Sequence, residues 1–251
     1  MSGDVVLLGI NGSPRRGGQS RSLLAVALKA ARTLGVETKV IDLYDYRIEP
    51  CLGCVSDGKG ACGYPCVVDD DMRVIYEEVL RADGMILATP VYWYAAPGHV
   101  KNFVDRLTAL ENMIEREGRR WVEGKVAGVI AVGNDSGALH AASTLVVTFI
   151  TMGFLVPPWG VAVYTGIEPA LKDYGTLSDA ANVGLQVARA ARALKASGVK
   201  RWYEPRVGEL VDEAWAAATL SSMSAFSSRR AKVLAGILSR APRRRKASTE
   251  Q

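Results

Sequence analysis

The sequence predicts an α/β fold: a doubly wound, five-stranded parallel sheet with helices on both faces, followed by a C-terminal helical extension. Two observations predict the sheet. Short apolar runs alternate with stretches of helical periodicity from Val5 to about Ala196. The first of those runs is continuously apolar, as a strand buried on both faces must be. A third observation sets the boundary: the alternation stops at about Tyr203. Residues 1–205 therefore read as one domain, and 206–251 as a helical extension with a basic tail.

Val5–Ile10 is the first strand. Leu23, Leu24, Leu28, Ala31 and Leu34 recur at helical spacing, and Gly35 ends that helix. Thr38–Ile41 is a short second strand. Asp42 to Val68 is too long and too polar for a plain connector, which marks it as a functional loop. Asp69-Asp70-Asp71 offers caps for a helix whose apolar face is Met72, Ile75, Tyr76, Val79 and Leu80. Gly84–Ala88 is the third strand. Pro97 suits the first position of the next helix, which carries Val100, Phe103, Val104, Leu107 and Leu110. Val126–Val132 and Val161–Val163 complete the sheet, with a helix after Gly137 and a last one over Leu177–Ala196. In the extension, Val207, Leu210, Val211, Ala214, Trp215 and Ala218 form one amphipathic helix, and Val233, Leu234, Ile237 and Leu238 suggest another.

Composition narrows the class. Of 251 residues 49% are hydrophobic and 23% charged, as in a soluble globular protein. The apolar stretch Ala142–Val163 is broken by Gly153, Pro157, Pro158 and Gly160, so no run spans a bilayer. Met1-Ser2-Gly3-Asp4 carries no basic leader, and the expected location is cytoplasmic. From Gly208 onward eight basic residues stand against four acidic ones, so most of the net charge of +5 sits in the tail. No aromatics interleave with it, and a nucleic-acid partner is not expected.

Three loops that follow strands carry the chemistry. Ligands in such sheets sit beyond the carboxyl ends of the strands, so these loops should share a crevice. The first, residues 11–22, reads Asn-Gly-Ser-Pro-Arg-Arg-Gly-Gly-Gln-Ser-Arg-Ser. It is neither Gly-x-Gly-x-x-Gly nor a loop ending in Gly-Lys-Ser/Thr. Ser13, Arg15, Gln19 and Ser20 offer hydroxyls, an amide and a guanidinium, while Gly12, Gly17 and Gly18 let backbone N–H groups approach. Such a loop suits a lone terminal phosphate held without metal, as on FMN. The bland alternative is an ordinary helix start capped by Ser20. The second loop, Thr89–Pro97, holds Tyr92, Trp93 and Tyr94 in succession. Three such rings cannot all face one core, so some cover a planar ligand or a subunit contact. The third, Gly133-Asn134-Asp135-Ser136-Gly137, offers small residues with polar groups for ring carbonyls and nitrogens.

All four cysteines, Cys51, Cys54, Cys62 and Cys66, fall in the loop between the second strand and the following helix. Clustering of this kind points to metal or redox use. His99 and His140 stand in no metal spacing; His99 is expected in the first helical turn at the pocket rim. No Ser-His-Asp order supports hydrolysis, so no side chain is assigned as catalytic. Lys101 and Arg106 read as helix-surface or interface residues.

Gly12-Ser13-Pro14-Arg15, Cys51-x-x-Cys54, Cys66-Val-Val-Asp-Asp-Asp71-Met72, Ala88-Thr89-Pro90-Val91-Tyr92-Trp93 and Lys101-Asn102-Phe103-x-Asp105-Arg106 together resemble the NAD(P)H-dependent FMN reductase family. The iron–sulfur flavoproteins are the branch most similar in appearance. The resemblance covers about residues 5–165. It implies a flavodoxin-like fold, FMN as cofactor, NAD(P)H as co-substrate, and a homodimer or homotetramer. The family's phosphate loop falls on Ser13, Arg15, Gln19 and Ser20. Its ring loop falls on Pro90, Val91, Tyr92 and Trp93, and its third flavin loop on Gly133, Asn134 and Ser136. The branch pattern Cys-x2-Cys-x2-Cys plus a fourth cysteine is matched by Cys51, Cys54 and Cys66. Its third position holds Asp57, and the remaining thiol is Cys62, giving Cys-x2-Cys-x7-Cys-x3-Cys. Four thiolates reach a four-iron four-sulfur cluster or tetrahedral zinc, and free thiols or disulfides stay open. The function implied is transfer of hydride from NAD(P)H to FMN and of electrons onward to flavin, quinone or a redox protein. The alternative is an iron–sulfur electron carrier fed by ferredoxin. A third is a non-redox chain whose cysteine loop holds zinc and whose fold mediates assembly.

Overall fold

The computed structural model describes residues 5–58, 60–202, 204, 207–224, 229, 232–233 and 235–236. Five parallel strands, β1 (Val6–Asn11), β2 (Glu37–Asp42), β3 (Gly84–Pro90), β4 (Val126–Gly133) and β5 (Val161–Thr165), form one sheet in the order β2-β1-β3-β4-β5. In register, Leu7 lies beside Thr38 and Gly84, Gly84 beside Val126, and Val129 beside Val161. All-parallel strands need covering on both faces, and the alternating side chains supply two cores. Leu8, Ile10, Met85, Leu87, Ala127 and Val129 point to one side, where they meet α2 (Met72–Arg81), α3 (Gly98–Arg106), α4 (Thr108–Glu111) and α6 (Ala138–Met152). α5 (Met113–Glu117) follows α4 on the same run of short helices. Leu7, Ile86, Ala88, Ile130 and Val132 point to the other, under α1 (Gln19–Arg32) and α7 (Tyr174–Ser197).

Helices α1 and α7 cross at Gly184. A Cβ there would lie 1.9 Å from the Ala27 carbonyl oxygen, so only glycine lets the two backbones meet. Element ends differ from the sequence reading by small shifts. Pro97 is the N-cap residue of α3, with extended ψ of 153°, and Gly98 is its first helical residue. Asp71 stands at the N-cap of α2 without a side-chain cap bond. Its carboxylate instead accepts the Arg47 N–H (2.7 Å).

Met1–Trp202 forms one compact unit and Tyr203–Gln251 a second. The longest described stretch of the second is α8 (Val207–Ser224), in keeping with the first predicted extension helix. Of the second predicted helix, Leu234, Ile237 and Leu238 lie outside the described residues, as does the basic run Arg240–Lys246. Among the described residues no helix is long and apolar enough to cross a membrane.

Candidate functional site

The site is built where β1, β3 and β4 end. Asn11, the last residue of β1, is fully buried and folds the next loop over itself. Its Oδ1 accepts the Ser13 N–H (3.2 Å), and its Nδ2 donates to the Ser13 carbonyl (3.2 Å) and to Asp42 (2.6 Å). The Gly12 N–H donates to the Ala88 carbonyl (2.7 Å), which pins the loop to β3. A Cβ at Gly12 would meet a Val100 methyl at 2.4 Å, so α3 packs directly on this glycine. The Ser13 hydroxyl accepts the Arg15 N–H (3.2 Å). The loop then runs into α1, whose N-cap is Gly18, with no side chain capping the end and no acidic residue in the first turn. The first N–H groups of a helix lack intrahelical partners, and the helix dipole makes that end an anion site. Ser20 therefore does not serve as the cap; it sits in the first turn, 2% exposed.

Three arginines accompany this end, and their partners separate them. Arg16 forks onto Asp45 (2.7 and 2.8 Å), and Arg21 donates to Asp42 (3.1 Å). The Arg15 guanidinium has no hydrogen bond or ion pair among the described residues. It lines a hollow of about 310 Å³ with Ser13, Gln19 and Ser20, facing Pro90, Val91, Tyr92 and Asn134. An adjoining hollow of about 270 Å³ shares Val91 and Asn134 and adds Trp93, Tyr94, Asp135 and Ser136. All the loop residues singled out from the sequence thus border one of the two hollows except Gly12, which packs under Val100, and Gly133. Gly133 ends β4 beneath the rim, where its carbonyl accepts the Gly166 N–H (3.0 Å). Gln19 is only half available, because its side-chain oxygen accepts the Ala170 N–H.

The three aromatics form a two-residue hairpin turn. Tyr92 and Ala95 bond to each other in both directions (2.8 and 3.2 Å), and Trp93 and Tyr94 both have positive φ, 50° and 65°. Bulky residues pay strain for that conformation, and such strain gathers at functional sites. Trp93 is 94% exposed and Tyr94 57%, so neither is held there by core packing.

The cysteine segment lies elsewhere, against α3, α4 and α5. All four thiols are free: Cys51 is exposed and Cys54, Cys62 and Cys66 are half-buried. Burial pushes the Cys62 thiol up, and the neighbouring Cys51, Cys66 and Cys54 push it further, against an opposing pull from Arg116. The four sulfurs thus share one electrostatic neighbourhood, although among the described residues no three of them close into a metal-holding group.

Arg106 corrects the sequence reading. It is 2% exposed, not a surface residue, and it pairs bidentately with Asp70 (2.7 and 3.1 Å). Burial raises the Asp70 carboxyl, but Arg106 and the N–H groups of Glu49 and Met72 outweigh it, and the net shift is downward. A signal was available: Arg106 stands three residues after Phe103 and four before Leu110, on the apolar stripe of its own helix. His99 lies in the first turn of α3, but its Nε2 bonds the Leu43 carbonyl (2.8 Å), its ring packs on Tyr44, and it lines neither hollow. Lys101 pairs with Asp105 on the surface, as expected (2.6 Å).

Comparison with known proteins agrees with this architecture. The profile of the NADPH-dependent FMN reductase family matches residues 5–166. An iron–sulfur flavoprotein of Methanosarcina thermophila is 36% identical over 129 residues, covering 51% of this chain and 62% of that protein. An iron–sulfur flavoprotein of Archaeoglobus fulgidus is 30% identical over 183 residues, covering 73% of this chain and 79% of its own. Among solved structures, RosB with bound 8-demethyl-8-formylriboflavin-5′-phosphate superposes with a TM-score of 0.66. It shares 22% identity, over 85% of this chain and 86% of RosB, which is a likeness of fold. The chain spans less than two thirds of the Methanosarcina relative, yet its whole sheet lies within the matched profile. On the strength of that profile and of the Archaeoglobus relative, the chain belongs to the NADPH-dependent FMN reductase family, on its iron–sulfur flavoprotein branch.

Proposed function

We propose that this protein is an FMN-dependent oxidoreductase that takes hydride from NAD(P)H and passes electrons to a flavin, a quinone or a redox protein. The observation that carries the reading is Arg15. Among the described residues it is the one arginine of the first loop without an internal partner, beside a helix N-terminus that no side chain caps, in a hollow that adjoins an aromatic turn. That donor set fits a phosphate monoester, since hydroxyls, N–H groups and a guanidinium neutralise it without metal. Ser13, Arg15 and Ser20 would hold the phosphate, with the Gln19 amide nitrogen as a further donor. Pro90, Val91, Tyr92 and Trp93 would border the ring, and Asn134 and Ser136 would bond its polar edge. When bound, FMN supplies the hydride and electron chemistry. The side chains anchor, orient and exclude water, and none is assigned a proton-transfer role.

Replacing Arg15 by Ala is expected to weaken FMN binding by about 1.5–3 kcal/mol, the worth of charged hydrogen bonds. Fluorescence titration checks this, and an unchanged Kd removes the phosphate assignment. Mixing the FMN-loaded protein anaerobically with NADH or NADPH is expected to bleach the flavin band within seconds.

The four thiols in one loop favour a second reading, an iron–sulfur flavoprotein electron carrier that receives electrons from ferredoxin. The donor chemistry fits, for thiolates are the ligands such clusters take. Cys51, Cys54, Cys62 and Cys66 would hold the cluster. A flavin band untouched by nicotinamide but bleached by reduced ferredoxin selects this reading. Either way we take the protein as a cytoplasmic homodimer or homotetramer. Support comes from the exposed Trp93 and from Leu139, Val147 and Ile150 on α6, which are 94%, 66%, 64% and 55% exposed. Light scattering on the purified chain tests it.

A further inference from the structure

The cysteine segment is held by a frame of side chains that border neither hollow. Its two ends meet on one guanidinium. Arg106 Nη1 donates to the Glu49 carbonyl (3.1 Å), and Nη2 donates to the Val68 carbonyl (3.4 Å). Asp70, paired with the same guanidinium, also accepts the Glu49 N–H (2.8 Å). Both backbone polar groups of Glu49 are thereby satisfied by this one buried pair. Between Glu49 and Val68 lie all four cysteines of the chain. The pair therefore closes the neck of a loop whose contents are the thiols.

The body of the loop is tied down by the same run of helices. Asn112 Nδ2 donates to the Cys62 carbonyl (2.9 Å). Arg116 donates through Nε and Nη2 to the Gly60 carbonyl (3.0 and 2.7 Å). Just outside the neck, Asn102 Nδ2 donates to the Ile48 carbonyl (2.9 Å). Each of these side chains spends its donors on a loop carbonyl, and none reaches the flavin hollows. A buried ion pair is a poor device for stability, because desolvating both charges consumes most of the attraction. It is a good device for fixing one geometry. Arg106 also keeps a buried Nε donor that has no acceptor among the described residues, and its charge is felt at Cys66. Donors beside the ligating sulfurs are what orient and tune thiolate centres.

We infer that Arg106, Asn112 and Arg116 are positioning residues for a metal centre held by the four thiols: they fasten the main chain of the loop at its neck and body, so that only the thiols themselves must close when metal arrives. The inference rests on the iron–sulfur reading above. Without the frame, the chain would have to order the loop at the moment of binding, at a cost in conformational entropy that weakens and slows ligation.

The test uses the full chain, reconstituted anaerobically with ferrous iron and sulfide. Three proteins are compared: wild type, Arg106→Lys, and the double variant Asn112→Ala with Arg116→Ala. Arg106→Lys keeps the charge and loses the fork; if it fails to fold, the double variant carries the test. Two quantities are read. One is hydrogen exchange across residues 50–67 in chelator-stripped protein; the other is the rate at which iron is lost to a chelator. We expect both to rise at least tenfold in the variants, while exchange in β1, β3 and β4 stays unchanged. A wild type that takes up iron, with variants that exchange and release no faster, overturns the positioning role alone. Acceleration spread equally over the sheet overturns it too, because the residues would then be merely structural. A wild type that takes up no iron overturns the iron–sulfur reading itself, and this inference with it.

Discussion

Lys125 is half-buried and donates its ammonium to the Leu80 and Ala82 carbonyls (2.7 and 2.6 Å) at the end of α2. Burial lowers its pKa to about 8, with Asp83 pulling the other way and Lys195 adding to the drop. The folded lysine thus loses its proton near pH 8 and the unfolded one near 10.5. Between those values the unfolded chain binds more protons, so this residue's contribution to stability rises with pH. Urea unfolding of wild type and Lys125→Met at pH 7.5 and 10 checks it. Wild type is expected to gain on the variant by up to about 3 kcal/mol, at 1.36 kcal/mol per unit. Asp70 follows the same sign at acid pH, because its folded pKa also lies below the unfolded one. Its lowered carboxyl adds stability that is whole above the ordinary value of 3.8 and is lost as the pH falls below it. Asp70→Asn leaves Arg106 buried without its counter-charge and is expected to cost about 3–5 kcal/mol at pH 7. That Ser13, Arg15 and Asn134 share one rim was legible because they stand in polar loops just after apolar runs. The place of Arg106 on an apolar stripe signalled its burial, but its partner was not legible, because that carboxylate stands 36 positions away. Nor was the commitment of Gln19 to Ala170, 151 positions distant.

At the scale of elements, the turn Tyr92–Ala95 holds two bulky residues where glycine or asparagine is the natural occupant. Left-handed backbone costs an ordinary residue about 1–2 kcal/mol. Trp93→Asn with Tyr94→Gly is therefore expected to raise the melting temperature while weakening FMN binding. A lower melting temperature would mean that the rings pack better than their exposure implies. Gly184→Ala should do the reverse of a usual glycine replacement in a helix. Its methyl would press on the Ala27 carbonyl and force α1 from α7, at a cost of about 1–3 kcal/mol by chemical denaturation. The type of each element was readable from periodicity, and the ends were less so. Pro97 reads equally well at the cap or the first turn, and only the backbone angle of 153° decides. The polar loop Asp42–Val68 could be recognised as functional by length. Its fastening to α3, α4 and α5 could not, because hydrogen bonds to main-chain carbonyls leave no trace in residue type.

Across the whole molecule, the strand order β2-β1-β3-β4-β5 has its reversal between β1 and β3, and the hollows open at that point. Alternation of strands and helices predicts a parallel sheet; it does not by itself order the strands, and the order came through the resemblance. Every residue bordering the hollows, and both apolar cores, lie in Met1–Trp202. A chain ending at Trp202 is accordingly expected to bind FMN with the Kd of the full protein, by fluorescence titration.

α3 begins directly after Pro97, where the aromatic segment ends, presses Val100 on Gly12, and finishes at the guanidinium that closes the thiol loop. Nine residues at about 1.5 Å each make a stiff rod of about 14 Å. If a tilt at one end of this rod reaches the other, FMN bound in the hollows becomes an optical gauge of the sulfur side. Capping a cysteine with a small reagent would then shift flavin emission from a spot that reagent never visits.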